Sequence, residues 1–312
     1  MSKKLFSGVF MKKTLLFLLT LLILTSCTRQ EEETSGVTFT DDLSRTVTVS
    51  EPKRTAALVG SMAQIWTLAG GEVVACPDDA WEDLDLDLPE GTVNLGKISK
   101  LSLEALLEAE PDFILASPNN NQQISWKDTF ESMGLPSAYF EVYDFDDYLH
   151  LLDICTDITG RKDLYEKYGE SVKKEIDRIL SKKRTDGPKV LSMLASTAYL
   201  KAKNSEGSVM GAMLRDLGCV NLADSESGLL ENLSIEYILQ EDPDYIFITQ
   251  RGDDEEGMRA FVQNYFDEHP AWKQLSAVKN NRVYFMDKNL YNLKPNHRWT
   301  EAYRGLWEIL SE

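Results

Sequence analysis

Cysteine and histidine are scarce in this chain, with four and three among 312 residues. Four cysteines are too few for a disulfide framework, and three histidines cannot build a histidine-rich metal cage. Basic residues are also outnumbered, because 33 lysines and arginines face 51 acidic residues and leave a net charge of −18. A surface this acidic repels a phosphate backbone, so we expect no nucleic-acid partner.

Long apolar runs and common catalytic motifs are missing as well. No apolar run reaches the roughly 20 residues that a transmembrane helix needs. The chain has no Gly-x-Ser-x-Gly, Gly-x-Gly-x-x-Gly, phosphate-binding loop or His-Glu-x-x-His motif, so we expect no catalytic residues and no metal site. Hydrophobic residues make up 43% of the chain, which is enough for the core of a globular protein with two domains or lobes.

The first 27 residues have the pattern of a bacterial lipoprotein leader. Two lysines precede the apolar run at residues 15–24, and the leader ends in Leu24-Thr25-Ser26-Cys27, which resembles a lipobox. In a lipobox the cysteine is acylated and becomes the new N-terminus. We therefore expect residues 1–26 to be removed as a signal peptide and Cys27 to carry a lipid such as palmitate. An ordinary signal peptide with an incidental cysteine is the alternative.

Residues 27–36 are polar and acidic, which is typical of a flexible tether. The folded part is predicted to begin near Val37. The protein would then be held on the extracytoplasmic face of the cell membrane by its lipid alone. Met1 and Met11 are both candidate starts, and Met11 opens the more typical leader.

An internal repeat divides the folded part into two similar halves. Residues 101–117 match residues 233–249 at a constant offset of 132, with seven of 17 positions identical. Each copy has a serine that can cap a short helix, a Pro-Asp pair that ends the helix, and an apolar run typical of a buried parallel strand. The repeat predicts an α/β fold of two similar lobes with mostly parallel sheets, at residues 37–145 and 188–312.

Other elements fit the same frame. Strands are predicted at residues 55–59, 73–76, 137–142, 189–194 and 282–286, and helices at residues 62–69 and 209–217. The alternation of strands and helices is what a parallel sheet requires.

A stretch without strand character separates the two halves. Apolar residues between Asp146 and Lys183 recur at helical spacing, and Gly160 divides this stretch. Its second piece, residues 162–183, would span about 33 Å as a helix at 1.5 Å per residue. We therefore predict a helical connection at residues 146–187, in which one long helix joins the lobes.

These features resemble the helical-backbone class of substrate-binding proteins of ABC importers, which bind iron–siderophores, haem or cobalamin. The resemblance covers residues 37–310, and its most specific pieces lie at residues 101–113 and 233–245. It implies a class III periplasmic-binding-protein fold and, as partners, a permease with its ATPase. It also implies a monomer that binds a small-molecule metal chelate between its lobes and needs no cofactor of its own.

The resemblance gives a role to the glutamate of each repeated Ser-x-Glu unit. In this class the glutamate faces the permease and pairs with arginines there, so the role falls on Glu104 and Glu236. Without the resemblance, both glutamates would only interact with the positive end of a helix. The two roles are compatible.

Ligand-binding residues are expected on loops that face the cleft between the lobes. The main candidates are Trp81, Asn119, Tyr199, Arg251, Tyr291 and Arg298. Arginine pairs well with carboxylates and catecholates, and aromatic rings supply stacking area, so a ferric siderophore is the leading ligand. Lys201 and Lys294 lie on the same loops and can equally be surface charges. Arg298 has an alternative role in capping the last helix.

Several alternatives stay open at this point. Haem or cobalamin could replace the siderophore, and Met62 and His297 could ligate haem iron, although neither lies in a haem motif. A lipid-anchored α/β enzyme or adhesion module is a different class, but a single-site hydrolase would not need a duplicated Ser-x-Glu unit. Three cysteines are expected to be buried thiols, with one disulfide among them left open: Cys76, Cys155 and Cys219.

Overall fold

The computed structural model describes residues 36–183, 185–230 and 233–312. The predicted signal peptide, the predicted acylation site Cys27 and most of the predicted tether lie outside the described residues. None of the described helices is both long enough and apolar enough to cross a membrane.

The strands are short and alternate with helices along the chain. They are β1 (Val37–Thr40), β2 (Thr46–Val49), β3 (Thr55–Ala57), β4 (Val73–Cys76), β5 (Val93–Asn94), β6 (Phe113–Ala116), β7 (Ser137–Tyr139), β8 (Lys189–Ala195), β9 (Leu200–Ala202), β10 (Val220–Asn221), β11 (Tyr245–Gln250) and β12 (Val283–Met286).

The α-helices are α1 (Gly60–Leu68), α2 (Asp79–Glu82), α3 (Leu103–Glu108), α4 (Asn121–Ser125), α5 (Lys127–Ser132), α6 (Phe145–Thr159), α7 (Lys162–Tyr165), α8 (Ser171–Leu180), α9 (Val209–Asp216), α10 (Leu222–Ser225), α11 (Ile235–Glu241), α12 (Glu255–Glu268), α13 (Ser276–Lys279), α14 (Lys288–Tyr291) and α15 (Trp299–Ser311). A π-helical turn lies at Glu166–Glu170, and 3₁₀ turns lie at Ser227–Leu230, Pro270–Gln274 and Asn296–Arg298.

Two separate sheets form the cores of two lobes. The first lobe has the strand order β5-β4-β3-β6-β7, and all of its neighbours are parallel. The second lobe has the order β10-β8-β11-β12, also parallel, and β9 pairs antiparallel with β8. The predicted fold class, two α/β lobes with mostly parallel sheets, is confirmed.

The sequence repeat corresponds to the same structural unit in each lobe. Its strands, β6 and β11, lie inside their sheets and are buried along their whole length. Glu110 and Asp242 end the preceding helices with positive φ angles of 46° and 44°. The carboxylate of Asp112 accepts hydrogen bonds from the backbone N–H groups of residues 53 and 54, at 2.8 and 2.9 Å. Asp244 accepts one from Lys189 at 2.9 Å, so each Pro-Asp pair fixes the start of the neighbouring strand.

The connection between the lobes is helical, as predicted. An Asp144–Asp147 capping box starts α6, and Gly160 ends it in the left-handed conformation with φ 70°. A helical run then covers residues 162–180, although the turn at residues 166–170 is π-helical and not α-helical. The run ends three residues before the predicted boundary, since Lys183 lies outside α8. One interrupted long helix therefore joins the sheets.

Aromatic residues pack the lobes together behind the connecting helices. Phe145 and Tyr148 of α6 contact Trp299 of α15, with ring centres 5.8 and 6.4 Å apart, and Trp299 is fully buried. One hydrophobic cluster includes these residues and reaches into both sheets. Because truncating a buried tryptophan costs about 3–5 kcal/mol, this contact contributes strongly to the stability of the arrangement.

The antiparallel hairpin of β1 and β2 was not predicted. Its register pairs Val37 with Val49 and Thr40 with Thr46. The alternation of Thr and Val at residues 46–49 is a period-two signal that could have revealed it. The very short strands β5 and β10 and the strand β9 were also missed.

Candidate functional site

The ends of the parallel strands from both lobes border a cavity of about 280 Å³. Val59, Ser117 and Glu141 follow the strands β3, β6 and β7 of the first lobe, and Arg251 directly follows β11 of the second. The carboxyl ends of parallel strands are the usual place for a ligand in open α/β sheets. The remaining lining residues are Ser61, Met62, Ile98, Ser99, Asn119, Asn120, Val142 and Lys294.

Glu141 is the centre of the polar wall on the first lobe. Its Oε2 accepts hydrogen bonds from Ser117 Oγ at 3.0 Å and from Asn119 Nδ2 at 2.9 Å. Asn119 Nδ2 also lies 2.6 Å from the hydroxyl of Tyr143. These contacts fix a carboxylate and an amide at the edge of the cavity.

The wall on the second lobe is cationic. Burial lowers the pKa of Lys203 below 10.5, and the positive charges of Lys201, Arg251 and Lys294 lower it further, so the four groups are close together. Among the described residues, no carboxylate lies within ion-pair distance of Lys201, Lys203 or Arg251. Only Lys294 is paired, to Glu141 Oε1 at 3.2 Å. A strongly acidic protein therefore has three uncompensated cations beside its cleft.

The structure brings some of the predicted ligand residues to this site. Asn119 and Arg251 line the cavity. Tyr199 lies in the turn between β8 and β9, where the Nζ atom of Lys201 is 5.1 Å from the centre of its ring. Tyr199 is therefore beside the cation cluster, although it does not line the cavity.

Three other predicted ligand residues lie elsewhere. Tyr291 is 5% exposed, and its hydroxyl donates to the backbone oxygen of Ala302 at 3.0 Å, so it packs α14 against α15. Arg298 makes two 2.8 Å hydrogen bonds with Glu301, which supports its alternative role at the start of the last helix. Trp81 is half-buried on α2 and packs against the main hydrophobic cluster.

The two candidate haem ligands are not brought to one place. Met62 is buried and lines the cavity. His297 is exposed outside it, and its ring centre lies 6.4 Å from that of Tyr168. The structure thus gives no support to haem ligation by this pair.

Two important site residues, Glu141 and Lys203, were missed in the sequence. Each had a signal. Glu141 is a charged residue between Phe140 and Val142, near the end of the strand predicted at residues 137–142. Lys201 and Lys203 are two residues apart, so they project from the same side of an extended segment.

A second and larger cavity, of about 740 Å³, lies between residues of both lobes. Lys288 Nζ bridges it, 2.6 Å from Asp83 of the first lobe and 2.6 Å from Asp253 of the second. Asn289 Nδ2 donates to the backbone oxygen of Asp83 at 3.1 Å. Three further acids line this cavity, namely Glu82, Glu255 and Asp287, so its charge is opposite to that of the smaller cavity.

The two repeated glutamates have matching positions on the two lobes. Ser102 Oγ accepts from Ala105 N at 3.1 Å, and Ser234 Oγ accepts from Tyr237 N at 3.4 Å, which caps α3 and α11. Glu104 and Glu236 each lie in the first turn of the capped helix and are exposed. Neither has an ion-pair partner among the described residues.

Comparison with known proteins identifies the family of this chain. A family model described as periplasmic binding protein matches residues 56–290. The chain belongs to the periplasmic binding protein family. This membership confirms the predicted class and the expectation of a binding protein and not an enzyme.

Similar proteins at 24–25% identity come from two bacteria. The putative ABC transporter substrate-binding lipoprotein YhfQ of Bacillus subtilis is 25% identical over 91% of this chain and 93% of its own length. The Fe(3+)-citrate-binding protein YfmC of the same organism is 24% identical, covering 80% of this chain and 78% of its own. The high-affinity haem uptake protein IsdE of Staphylococcus aureus is 24% identical, covering 72% and 74%.

A solved structure supports the same fold. Staphylococcus aureus SirA, crystallised with staphyloferrin B, superposes with a TM-score of 0.70 and 20% identity, covering 88% of this chain and 98% of that one. The likeness covers most of this periplasmic binding protein and shows that the two proteins share a fold.

The three cysteines in the described part of this binding protein are buried thiols. Cys76, Cys155 and Cys219 form no disulfide, so the option of one among them does not occur in the structure. Burial and the nearby Asp79 raise the pKa of Cys76 to about 12, and burial raises that of Cys155 as well. Thiols with raised pKa values are poor nucleophiles and metal ligands at neutral pH. No cluster of metal-binding side chains occurs in the described part of the chain.

Proposed function

We propose that this protein is the substrate-binding component of an ABC importer and captures an anionic ferric chelate, most suitably a ferric siderophore, between its lobes. The chelate would occupy the 280 Å³ cavity and the open cleft beside it.

The observation that carries this proposal is the cation cluster of Lys201, Lys203 and Arg251. Bringing like charges together is unfavourable, and the pKa of Lys203 is lowered first by burial and further by the charges of its neighbours. An anionic ligand would offset the repulsion and would form charge-assisted hydrogen bonds with Arg251. The protein has a formal charge of −18 and therefore many carboxylates that could pair with cations. A cation cluster without carboxylate partners is unexpected in such a protein, which favours an anionic ligand as its partner.

The relatives agree with an iron complex as the ligand and differ in its kind. YfmC is named for ferric citrate and IsdE for haem uptake. The cationic wall favours a carboxylate or catecholate chelate, and the separation of Met62 from His297 removes the main argument for haem in this chain.

Delivery to the permease would use Glu104 and Glu236. Both are exposed, and they have the same position on two lobes that one long helical connection and a shared aromatic core hold together. A monomer with two fixed carboxylates can contact two permease halves at once, and the second contact benefits from a high effective concentration. The permease and its ATPase are thus the proposed protein partners.

We propose that Cys27 carries the lipid that keeps the protein on the extracytoplasmic face of the membrane. The lipobox-like Leu24-Thr25-Ser26-Cys27 supports this anchor, and the relative YhfQ is named a lipoprotein. The polar residues 28–35 would then give the folded part its reach from the membrane surface.

Calorimetric titration of the folded part, residues 36–312, with a panel of ligands tests the ligand proposal. The panel would contain ferric citrate, a ferric catecholate, a neutral ferric trihydroxamate, haem and cobalamin. We expect the anionic ferric chelates to bind most tightly and their affinity to fall as salt is added, because solvent-exposed charges are screened. Tight binding of haem or cobalamin alone would overturn the proposal.

A further inference from the structure

A single carboxylate, that of Glu141, is present among the described residues that line the cationic cavity. Its side chain is only 16% exposed, and its Oε1 accepts a hydrogen bond from Lys294 Nζ at 3.2 Å. A carboxylate in an anion-binding site repels the anionic ligand and lowers its affinity, so its presence there calls for a functional reason such as specificity.

Glu141 is held in place and cannot easily turn away from a ligand. Ser117 and Asn119 fix its Oε2 atom, and its backbone N–H donates to Asp42 Oδ2 at 2.7 Å. Asp42 and Tyr143 are the other polar groups close to it on the first lobe, and neither brings a positive charge. Lys294 is its only cationic partner among the described residues.

The pair of Glu141 and Lys294 therefore adds no net charge to the cavity. The attraction for an anion then comes from Arg251, which lines the cavity, and from Lys201 and Lys203 near it, all of which belong to the second lobe. A chelate that carries negative groups on one side meets cations there, whereas a negative group on its opposite side meets Glu141.

We infer that Glu141 is a specificity-determining residue, which orients the chelate with its negative groups toward the second lobe and penalises chelates with negative charge on both sides. This inference rests on the proposed function, since it needs an anionic chelate in the cavity. It adds a charge filter to a site that would otherwise select for negative charge alone.

Substitutions at the pair separate this role from direct ligand contact. Glu141→Gln removes the charge and keeps an oxygen that can accept from Ser117 and Asn119. Lys294→Met leaves Glu141 without its cation, and the double variant removes both charges. Asp253→Asn is the matched control, because it removes a carboxylate that pairs with Lys288 outside this cavity.

Affinities for ferric citrate and for a neutral ferric trihydroxamate would be measured by calorimetry at one low salt concentration. We expect Glu141→Gln to raise the affinity for ferric citrate about tenfold and Lys294→Met to lower it by a similar factor. The double variant should return within about threefold of the wild type. The neutral chelate and the Asp253→Asn control should each change by less than about twofold.

The outcomes distinguish this inference from the proposed function. If ferric citrate binds and Glu141→Gln lowers or does not change its affinity, Glu141 is not a charge filter, while the proposed function stands. If the neutral chelate binds more tightly than ferric citrate and no variant alters this order of affinities, the charge filter and the proposal of an anionic ligand are both wrong.

Discussion

Replacing Arg251 by alanine is the substitution that should weaken ligand binding without harming the fold. The Arg251 side chain is exposed and has no carboxylate partner among the described residues, so its removal leaves no buried charge unpaired. The backbone N–H of residue 251 donates to the oxygen of Ala195 at 2.7 Å, and alanine retains this bond. We therefore expect the free energy of unfolding to change by less than about 0.5 kcal/mol.

The affinity should change far more than the stability. A hydrogen bond to a charged group contributes about 1.5–3 kcal/mol, which corresponds to a loss of roughly 10- to 150-fold in affinity for an anionic ferric chelate. The loss should lie toward the lower end, because burial and neighbouring charges lower the pKa of Lys203, and the removal of Arg251 relieves part of that repulsion. Titration of ferric citrate into both proteins by calorimetry gives the value directly.

Arg298→Ala is the control for this experiment. The sequence indicated both arginines as ligand residues, but Arg298 is paired with Glu301 and lies outside the cavity. Its loss should leave affinity unchanged and cost no more than about 1 kcal/mol of stability, as for other exposed ion pairs. Equal losses of affinity in the two variants, or no loss in Arg251→Ala, would refute the assignment of the cavity.

Three further outcomes are expected. Glu104→Ala and Glu236→Ala should each weaken uptake by whole cells, and the double variant should nearly abolish it. Ligand affinity should be unchanged in all three variants. Normal uptake by the double variant would contradict the docking role of these glutamates. Cys27→Ala should abolish fatty-acid labelling and release the protein from the membrane or block its processing, so labelling that persists would contradict the anchor. Affinity for an anionic chelate should fall as the pH rises through the lowered pKa of Lys203, below 10.5, because the neutral amine no longer attracts it. Binding in that range should take up protons, which calorimetry in two buffers of different ionisation enthalpy detects.

The sequence was sufficient to predict the framework of the fold because the information is local and repeated. The Pro-Asp units at residues 111–112 and 243–244 mark the helix ends and the following buried strands, and these strands lie inside the two sheets. The glycine at position 160 likewise marks the end of α6. These positions require a particular backbone conformation or remove a hydrogen-bond donor, so a single sequence reveals them.

The cleft was predictable only in part, since the direction of a loop side chain depends on distant packing. Tyr291 has an aromatic ring and a hydroxyl whether it faces a ligand or, as here, the backbone of α15. Lys203 takes its importance partly from Arg251 and Lys294, and Glu141 takes its importance partly from Lys294, 153 residues further along the chain. Periodicity does not connect groups that are so far apart in the sequence. Arg298 could have been excluded as a ligand residue from the sequence alone, because Glu301 follows it by three residues and a helix brings such residues within ion-pair distance.

The most direct test of the central claim is the position of iron in crystals of the folded part grown with a ferric chelate. Anomalous scattering from iron locates the metal without any assumption about the ligand. The proposed function predicts an iron peak in the cavity between Ser117 and Arg251, with the acidic groups of the chelate on the side of Lys203. An iron peak in the acidic cavity beside Lys288, or outside the cleft altogether, would contradict it.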